Sequence, residues 1–170
     1  MRNALYAGSF DPLTNGHMWV IINTIQLFGK VTIAIAKNPK KNYAFTRKER
    51  YGMIMDSLES YNLLKNVEVL DMPNVFLVDF CKTCKCDILI RGVRNSTDFE
   101  YEKTMNDVNF KLSDGDVTTV MLCPPPTVAH ISSSFVKGIV GLEDWQKHVM
   151  QLVPPGSYNR ILKKYEESEK

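Results

Sequence analysis

The sequence has no long apolar run, since no uninterrupted apolar segment approaches the roughly 18 residues that a membrane-spanning helix needs. Its first residues also lack the apolar core of a secretory signal, because Gly8, Ser9, Asp11 and Pro12 interrupt them. An excess of one charge is equally absent. With 21 Lys and Arg against 19 Asp and Glu, the net charge of +2 does not indicate a surface for nucleic acid or membranes. These absences predict a cytoplasmic protein in which any anion binding is local.

Cysteine is scarce and unevenly placed. Three of the four cysteines, Cys81, Cys84 and Cys86, crowd into CKTCKC and leave no disulfide framework for the rest of the chain, which favours a reducing compartment. A thioredoxin-like Cys-x-x-Cys precedes its helix, whereas Cys81 and Cys84 fall near the end of one, and a zinc site would need a distant fourth ligand such as Cys123. We therefore expect buried or half-buried thiols and no protein metal site.

The two best-known phosphate loops are also absent. The stretch GSFDPLTNGH (8–17) matches neither the dinucleotide fingerprint G-x-G-x-x-G nor the P-loop, which would require a lysine close to the position of His17.

Branched apolar runs alternate with segments of helical period along the chain. The predicted strands are 4–7, 31–36, 67–70, 87–90 and 117–122. The predicted helices begin near His17, after the Thr46-x-x-Glu49 capping box, near 75 and near 98, and the chain beyond 126 is expected to be helical. Continuously apolar strands separated by helices predict an α/β fold with a Rossmann-like, doubly wound, five-stranded parallel sheet, helices on both faces and a helical C-terminus. The length predicts a single domain, 1–170.

In such sheets the ligand lies beyond the carboxyl ends of the strands. The segments expected there carry hydroxyl, imidazole and cationic groups: Ser9, Phe10, Asp11 and Thr14–His17 after the first strand; Asn38, Lys40 and Lys41 after the second; Arg91–Arg94 after the fourth; and 124–134, with three successive serines, after the fifth. Guanidinium and ammonium groups beside helix N-termini favour a polyphosphate ligand.

Two features of these segments allow both structural and functional interpretations. His17 stands at a helix start, where the helix dipole opposes protonation, so we expect a neutral imidazole, and a lone histidine there is more often structural. The 98–112 helix carries a polar seam beside an apolar stripe, and by itself this favours solvent contact for the seam. The seam comprises Asp98, Glu102, Met105 and Asn109, and the stripe Tyr101, Met105, Val108 and Leu112.

Four motifs in the same order resemble the bacterial phosphopantetheine adenylyltransferase family of the nucleotidyltransferase superfamily. They are Thr14-Asn15-Gly16-His17, which resembles the superfamily's T/H-x-G-H signature; KNPKKNYAFTRKER (37–50); LIRGVRNSTDFEYE (89–102); and HISSSFVK (130–137). The resemblance covers about residues 3 to 160. It implies transfer of the adenylyl group of ATP to 4′-phosphopantetheine, giving dephospho-coenzyme A and pyrophosphate without a covalent enzyme intermediate. It also implies Mg²⁺ held mainly by the ATP phosphates, and a homohexamer.

The resemblance also implies roles for particular residues. His17, Lys41 and Arg91 would be catalytic. The ATP-binding residues would be Ser9, Phe10, His17, Gly92, Val93, Arg94, Glu102, Val128, Ala129, His130, Ile131, Ser132, Ser133 and Ser134. The phosphopantetheine-binding residues would be Ser9, Lys41, Leu77, Arg91 and Asn109. The sequence departs from the family at Ala7, where proline is usual, and at Val128–His130, where an aromatic residue is usual.

Two alternatives remain open. A cytidylyltransferase acting on a phosphorylated alcohol would share the His17 motif, and a non-catalytic nucleotide- or metal-binding module could use CKTCKC.

Overall fold

The computed structural model describes residues 3–38 and 41–168, and at its centre is a sheet of five parallel strands. The strands are β1 (Asn3–Gly8), β2 (Lys30–Ile35), β3 (Val67–Asp71), β4 (Ile88–Gly92) and β5 (Thr118–Leu122). Their order is β3-β2-β1-β4-β5, so the direction of winding reverses between β1 and β4. The predicted α/β, doubly wound fold is confirmed.

Eight helices surround the sheet in the described residues. They are α1 (Asn15–Phe28), α2 (Arg47–Ser60), α3 (Leu77–Thr83), α4 (Ser96–Leu112), α5 (Pro126–Ala129), α6 (Ser133–Ile139), α7 (Trp145–Leu152) and α8 (Pro155–Ser168). None of the helices within 3–38 and 41–168 is long and apolar enough to cross a lipid bilayer.

Local capping sets where several helices begin. The predicted capping box of α2 is present, with the Glu49 backbone N–H donating to Thr46 Oγ1 at 3.2 Å and the Thr46 N–H donating to the Glu49 carboxylate at 2.6 Å. The helix predicted from about Asp98 begins at Ser96, because the Asn95 side chain accepts the Asp98 backbone N–H at 2.8 Å.

The strands are apolar on both faces because helices cover both. On one face Ile33 and Ile90 pack with Ile21 of α1 and Ile54 of α2, and all four are fully buried. On the other face Leu5 and Leu89 pack with α3 residues that include Val78 and Cys81. Each fully buried aliphatic side chain contributes about 1.5–3 kcal/mol of transfer free energy, so these two layers account for the continuous apolar strands.

The C-terminal helices form a third cluster that closes one side of the sheet's carboxyl edge. Trp145, Val149 and Ile161 pack there against Phe45 and Val136. Helix α8 crosses α2 closely at Gly156, where a Cβ atom would lie 2.5 Å from the backbone nitrogen of Ser57, so only glycine fits. This packing places the segments before α2 and α6 next to each other.

Candidate active site

A cavity of about 300 Å³ opens at the carboxyl ends of β1 and β4, where the strand order reverses. Three cations, Lys41, Arg91 and Arg94, line it, and no carboxylate does so among the described residues. The other lining residues are Tyr6, Ala7, Gly8, Ser9, Thr14, Gly16, His17, Val20, Gly92, Pro124, Val128, Ile131, Ser132, Ser133 and Ser134. The wall chemistry fits an anionic ligand.

His17 lies in the first turn of α1 and forms a reciprocal capping box with Thr14. The Thr14 backbone N–H donates to His17 Nδ1 at 3.0 Å, and the Thr14 hydroxyl lies 2.9 Å from the same nitrogen. Because a backbone N–H can only donate, Nδ1 carries a lone pair, and the neutral imidazole carries its proton on Nε2. His17 therefore presents an N–H donor to the cavity that it lines.

The charge state of His17 follows from its surroundings. Burial, followed by the positive charges of Arg94 and Lys41, lowers the pKa of His17 from 6.5 to about 4. The imidazole is therefore neutral at physiological pH, as the sequence predicted from the helix start.

Two aromatic rings, those of Phe10 and Tyr6, pack near the imidazole of His17. Phe10, which has a φ of 47° and is 1% exposed, packs edge-on against His17 with ring centroids 5.2 Å apart and against Tyr6 at 5.5 Å. Burial raises the pKa of Tyr6 to about 12, so its hydroxyl stays protonated. That hydroxyl lies beside Gly92, where a Cβ atom would be 3.8 Å from the oxygen. Tyr6 therefore offers a second neutral donor at the cavity.

Arg91 is held in place by Glu102 of α4. Its Nε donates to Glu102 Oε2 at 2.7 Å and its Nη2 to Oε1 at 2.5 Å, while Nη1 donates to the Ala7 carbonyl at 3.2 Å. Burial alone would lower the pKa of Arg91, but the hydrogen bonds and charge of Glu102 raise it above its ordinary value. Since guanidinium has five N–H donors, two remain for a ligand.

This pairing overturns the expectation that the polar seam of α4 contacts solvent. Glu102 and Asn109 are 8% and 7% exposed, whereas Tyr101 and Val108 of the apolar stripe are 61% and 44% exposed. The helix turns its polar face inward because a buried arginine needs a carboxylate partner, and sequence periodicity cannot reveal a partner on another element.

Arg94 and Lys41 complete the positive lining. Arg94 Nε donates to Asp98 Oδ2 at 2.8 Å across one turn, and the Arg94 side chain stays 38% exposed. Lys41 is exposed, and its backbone N–H donates to the Asn38 carbonyl at 3.0 Å. Lys40, which the sequence analysis placed beside Lys41, lies outside the described residues.

The serine run enters the cavity from the segment before α6. Ser132 caps α6 by accepting the Phe135 N–H at 3.1 Å, and Ser133 donates to the Pro12 carbonyl at 2.8 Å. The run lies against the first turn of α1 because Gly16 has no side chain: a Cβ atom there would lie 3.3 Å from the Ile131 carbonyl oxygen. Glycine in the T-x-G-H motif thus allows two elements of the site to touch.

Asp11 joins three of the site's segments, a role that the sequence did not predict. Its carboxylate accepts the backbone N–H groups of Ala44 and Phe45 at 3.0 and 2.9 Å and the ammonium of Lys137 at 2.8 Å. The side chain is 4% exposed. Asp11 therefore ties the segment after β1 to the segment that carries Lys41 and to α6.

The structure brings most of the predicted site residues together. Those that line the cavity are Ser9, His17, Lys41, Arg91, Gly92, Arg94, Val128, Ile131, Ser132, Ser133 and Ser134. Those that do not are Phe10, Leu77, Val93, Glu102, Asn109, Ala129 and His130. Phe10 contacts His17 and Glu102 pairs with Arg91, while Leu77 at the start of α3 packs against the buried cluster between the sheet and α3. The ligand-binding roles of all these residues remain predictions.

Several lining residues were not foreseen from the sequence. Tyr6 and Val20 looked like ordinary core positions, since each lies in an apolar run or helical face. Thr14 was expected at this edge of the sheet as part of the T-x-G-H motif, but its contact with the imidazole was not, although a threonine three residues before His17 at a helix start predicts such a cap.

The CKTCKC thiols are not arranged as a metal or redox centre. Cys81 is fully buried and Cys86 is 4% exposed, and burial raises the pKa of Cys81 to about 12 and of Cys86 to about 11. Within 3–38 and 41–168 no group of three metal-ligating side chains comes together. The thiols act as small apolar residues between the sheet and α3, in keeping with the sequence expectation.

The chain is similar to known proteins over most of its length. A family model described as Cytidylyltransferase-like matches residues 5–139. The phosphopantetheine adenylyltransferase of Chromobacterium violaceum is 37% identical over 167 residues, which are 98% of this chain and 99% of that protein. That of Actinobacillus pleuropneumoniae serotype 3 is 40% identical over 150 residues, 88% of this chain and 90% of its own.

The chain belongs to the phosphopantetheine adenylyltransferase family. Among solved structures, nicotinic acid mononucleotide adenylyltransferase of Plasmodium falciparum, complexed with NaAD, matches with a TM-score of 0.72 and 16% identity over 96% of each chain. At that identity the likeness bears on the fold alone.

Proposed function

We propose that the protein transfers the adenylyl group of ATP to 4′-phosphopantetheine, giving dephospho-coenzyme A and pyrophosphate. The observation that carries this is the cavity at the β1–β4 reversal, where a neutral histidine donor, three cations and a serine run meet in a chain of this family. Positioning and charge neutralisation are what phosphoryl-type transfer requires of a protein, and this site offers both.

In the proposed reaction a phosphate oxygen of 4′-phosphopantetheine attacks the α-phosphorus of ATP. The bond from that phosphorus to the α–β bridging oxygen breaks, and pyrophosphate leaves with the electron pair. His17 Nε2–H donates to the α-phosphate as its charge grows, and Arg91 and Lys41 hold the incoming phosphate. Arg94 and Ser132–Ser134 hold the β- and γ-phosphates.

The metal expected from the resemblance would enter as part of the substrate, the magnesium complex of ATP. The carboxylates that contact the lining arginines are already engaged, Glu102 by Arg91 and Asp98 by Arg94. Hydroxyl and cationic groups dominate the lining, so the donor set fits an ion carried by the phosphates rather than by a protein cage.

The phosphopantetheine arm is proposed to leave the cavity along α4. Asn109 lies two turns after Glu102 on the buried face of α4, and Leu77 begins the neighbouring α3. These positions support the assignment of Leu77 and Asn109 to the pantetheine side, away from the serine run on the ATP side.

We also propose that the chain forms a homo-oligomer, a hexamer by family resemblance. Exposed apolar side chains cluster on α4 and just before α3: Phe76, Phe99, Tyr101, Val108, Phe110 and Leu112 are 44–67% exposed. Such a surface is typical of an interface. Light scattering would give the oligomeric state, and Phe110→Glu should lower it if this surface is buried between copies.

The cytoplasmic location and the single-domain organisation remain predictions.

The test of the function is pyrophosphate release from ATP, magnesium and 4′-phosphopantetheine. We expect turnover to fall at least about a hundredfold in Lys41→Ala, because a charge contact to the transition state is lost. Turnover should be retained in the control Lys48→Ala, which removes an exposed lysine outside the cavity. Equal rates in the two variants would contradict the role of Lys41. With an α-thiophosphate analogue of ATP, inversion at phosphorus is expected; retention would indicate a covalent intermediate.

Nucleotide choice separates this function from the cytidylyltransferase alternative, which the description of the family model keeps relevant. Calorimetry with ATP and CTP should show tighter binding of ATP. Tighter binding of CTP, with turnover of glycerol 3-phosphate, would favour the alternative.

A further inference from the structure

A second cavity, of about 670 Å³, is lined by residues that precede and follow Lys41 along the chain. We call it the basic cleft, and it is lined by Lys37, Tyr43, Ala44, Phe45, Thr46, Arg47, Arg50 and Lys164. Among residues 3–38 and 41–168, none lines both this cleft and the cavity described above. Its size is within the range of small-molecule sites.

The charge of the basic cleft is one-sided. Four cations line it, Lys37, Arg47, Arg50 and Lys164, and no acidic residue does so in the described part of the chain. Lys164 pairs with Glu49 at 2.9 Å, and Arg47 lies 3.5 Å from Asp71, with both of the latter side chains 40% or more exposed. Two carboxylates against four cations leave a positive surplus.

Arg50 carries much of that surplus. It is 3% exposed, and within 3–38 and 41–168 it contacts no carboxylate and its Nε has no hydrogen-bond partner. Its Nη1 donates to the Ser9 carbonyl at 2.6 Å, and its guanidinium lies 4.4 Å from the centre of the Tyr43 ring. A buried guanidinium without a counter-charge is costly, and an anion nearby would offset that cost.

We propose that the basic cleft is a second anion-binding site, which takes a small ligand bearing a phosphate group. Arginine forks and a lysine ammonium match the oxygens of a phosphate, and the start of α2 contributes a positive dipole end beside Arg47. The aromatic residues Tyr43 and Phe45 line the same cleft, so an organic phosphate has an apolar wall to contact.

The cleft is physically connected to the first cavity. Ala44 and Phe45 line the cleft while their backbone N–H groups donate to Asp11, and Arg50 donates to Ser9, which lines the first cavity. An anion in the cleft therefore restrains the segment that follows Lys41 and reduces opening of the two N–H bonds to Asp11.

The experiment compares two probes, inorganic phosphate and phenyl phosphate, by calorimetry on the full chain. The cleft variant is Lys37→Gln/Arg47→Gln, and the matched control is Lys147→Gln/Lys163→Gln, which removes the same charge from side chains 74% and 77% exposed elsewhere. We expect the cleft variant to bind at least about tenfold more weakly, because two charge-assisted contacts are lost, and the control to bind normally.

A third variant, Arg94→Gln, changes the first cavity and not the basic cleft, so phosphate binding to the two cavities can be distinguished without an activity assay. Phosphate binding that survives Arg94→Gln and fails in the cleft variant supports the proposal, even if no adenylyl transfer is found. Binding that is equal in the cleft variant and its control, or that is lost only in Arg94→Gln, would overturn it. Tighter binding of phenyl phosphate assigns the site to organic phosphates, and equal binding assigns it to free phosphate.

Two further measurements test whether the variant is folded and whether the cleft is connected to the first cavity. Thermal melting checks that the cleft variant is folded, and Lys37→Gln alone, at an exposed position, replaces it if it is not. Hydrogen exchange of the Ala44 and Phe45 amides should slow when phosphate binds. Exchange that stays unchanged at saturating phosphate would overturn the connection between the cleft and the first cavity.

Discussion

The neutrality of His17 leads to a quantitative prediction about pH. The imidazole accepts a backbone N–H at Nδ1 and lies near Arg94 and Lys41, and its pKa is lowered from 6.5 to about 4. A proton added at Nδ1 would break the bond to Thr14 and place two N–H groups face to face. We therefore expect no protonation of His17 in the folded protein above about pH 5.

The effect on stability follows from proton binding by the two states. Between pH 6.5 and 4 the unfolded chain protonates His17 and the folded chain does not, so stability falls as the pH falls through this window. At pH 7 the imidazole is neutral in the folded state and mostly neutral in the unfolded state, so little of this effect is present there. The lowering of the pKa from 6.5 to about 4 corresponds to about 3 kcal/mol in total, most of which is reached by pH 4.5.

Urea unfolding at pH 7 and pH 4.5 measures this contribution. A His17→Gln variant cannot titrate at this position, so its free energy of unfolding should fall by about 2 kcal/mol less than that of the natural protein between the two pH values. His148→Gln, at an exposed position on α7, is the matched control for loss of a histidine. A natural protein and a His17→Gln variant that lose stability in parallel would refute the reasoning.

Nuclear magnetic resonance tests the same prediction at the atom. Long-range proton–nitrogen spectra should show the Nε2–H tautomer of His17 at neutral pH, with little change down to pH 5. A protonated Nδ1 in these spectra would contradict the hydrogen bond from the Thr14 backbone.

Three other substitutions test the contacts around the cavity. Glu102→Gln removes the charge that orients Arg91, and we expect kcat/KM to fall about 10- to 100-fold with little change in Tm; an unchanged kcat/KM would show that Arg91 needs no orienting partner. Asp11→Asn breaks a buried ion pair with Lys137, so urea unfolding should show a loss of about 3 kcal/mol, and a loss under about 0.5 kcal/mol would contradict its joining role. Gly16→Ala places a methyl group 3.3 Å from a backbone carbonyl of the segment before α6, so KM for ATP should rise while kcat changes less; a normal KM would mean that the segment can shift at no cost.

Local signals in the sequence predicted what depends on neighbours along the chain. The Thr46–Glu49 capping box and the five strands are short-range patterns, and the structure reproduces them with ends that differ by a residue or two. The start of α3 was placed too early, at 75 rather than Leu77, because Val75 and Phe76 are apolar but stay 47% and 67% exposed. Apolar side chains are therefore not always buried in the core of their own chain, and a helix start placed from apolar residues alone can be wrong.

The sequence by itself determined the α/β fold, the edge of the sheet where the site lies and the cationic and hydroxyl groups that gather there. These follow from strand hydrophobicity, right-handed connections and the rule that parallel strands end at one edge. Only the tertiary structure decided which groups pair. The inward polar face of α4, the bonds that Asp11 makes to the segments carrying Lys41 and Lys137, and the unpaired Arg50 of the basic cleft all join residues 11 to 126 positions apart. Such pairings depend on the distance between side chains after folding, and spacing along the chain carries no record of that distance.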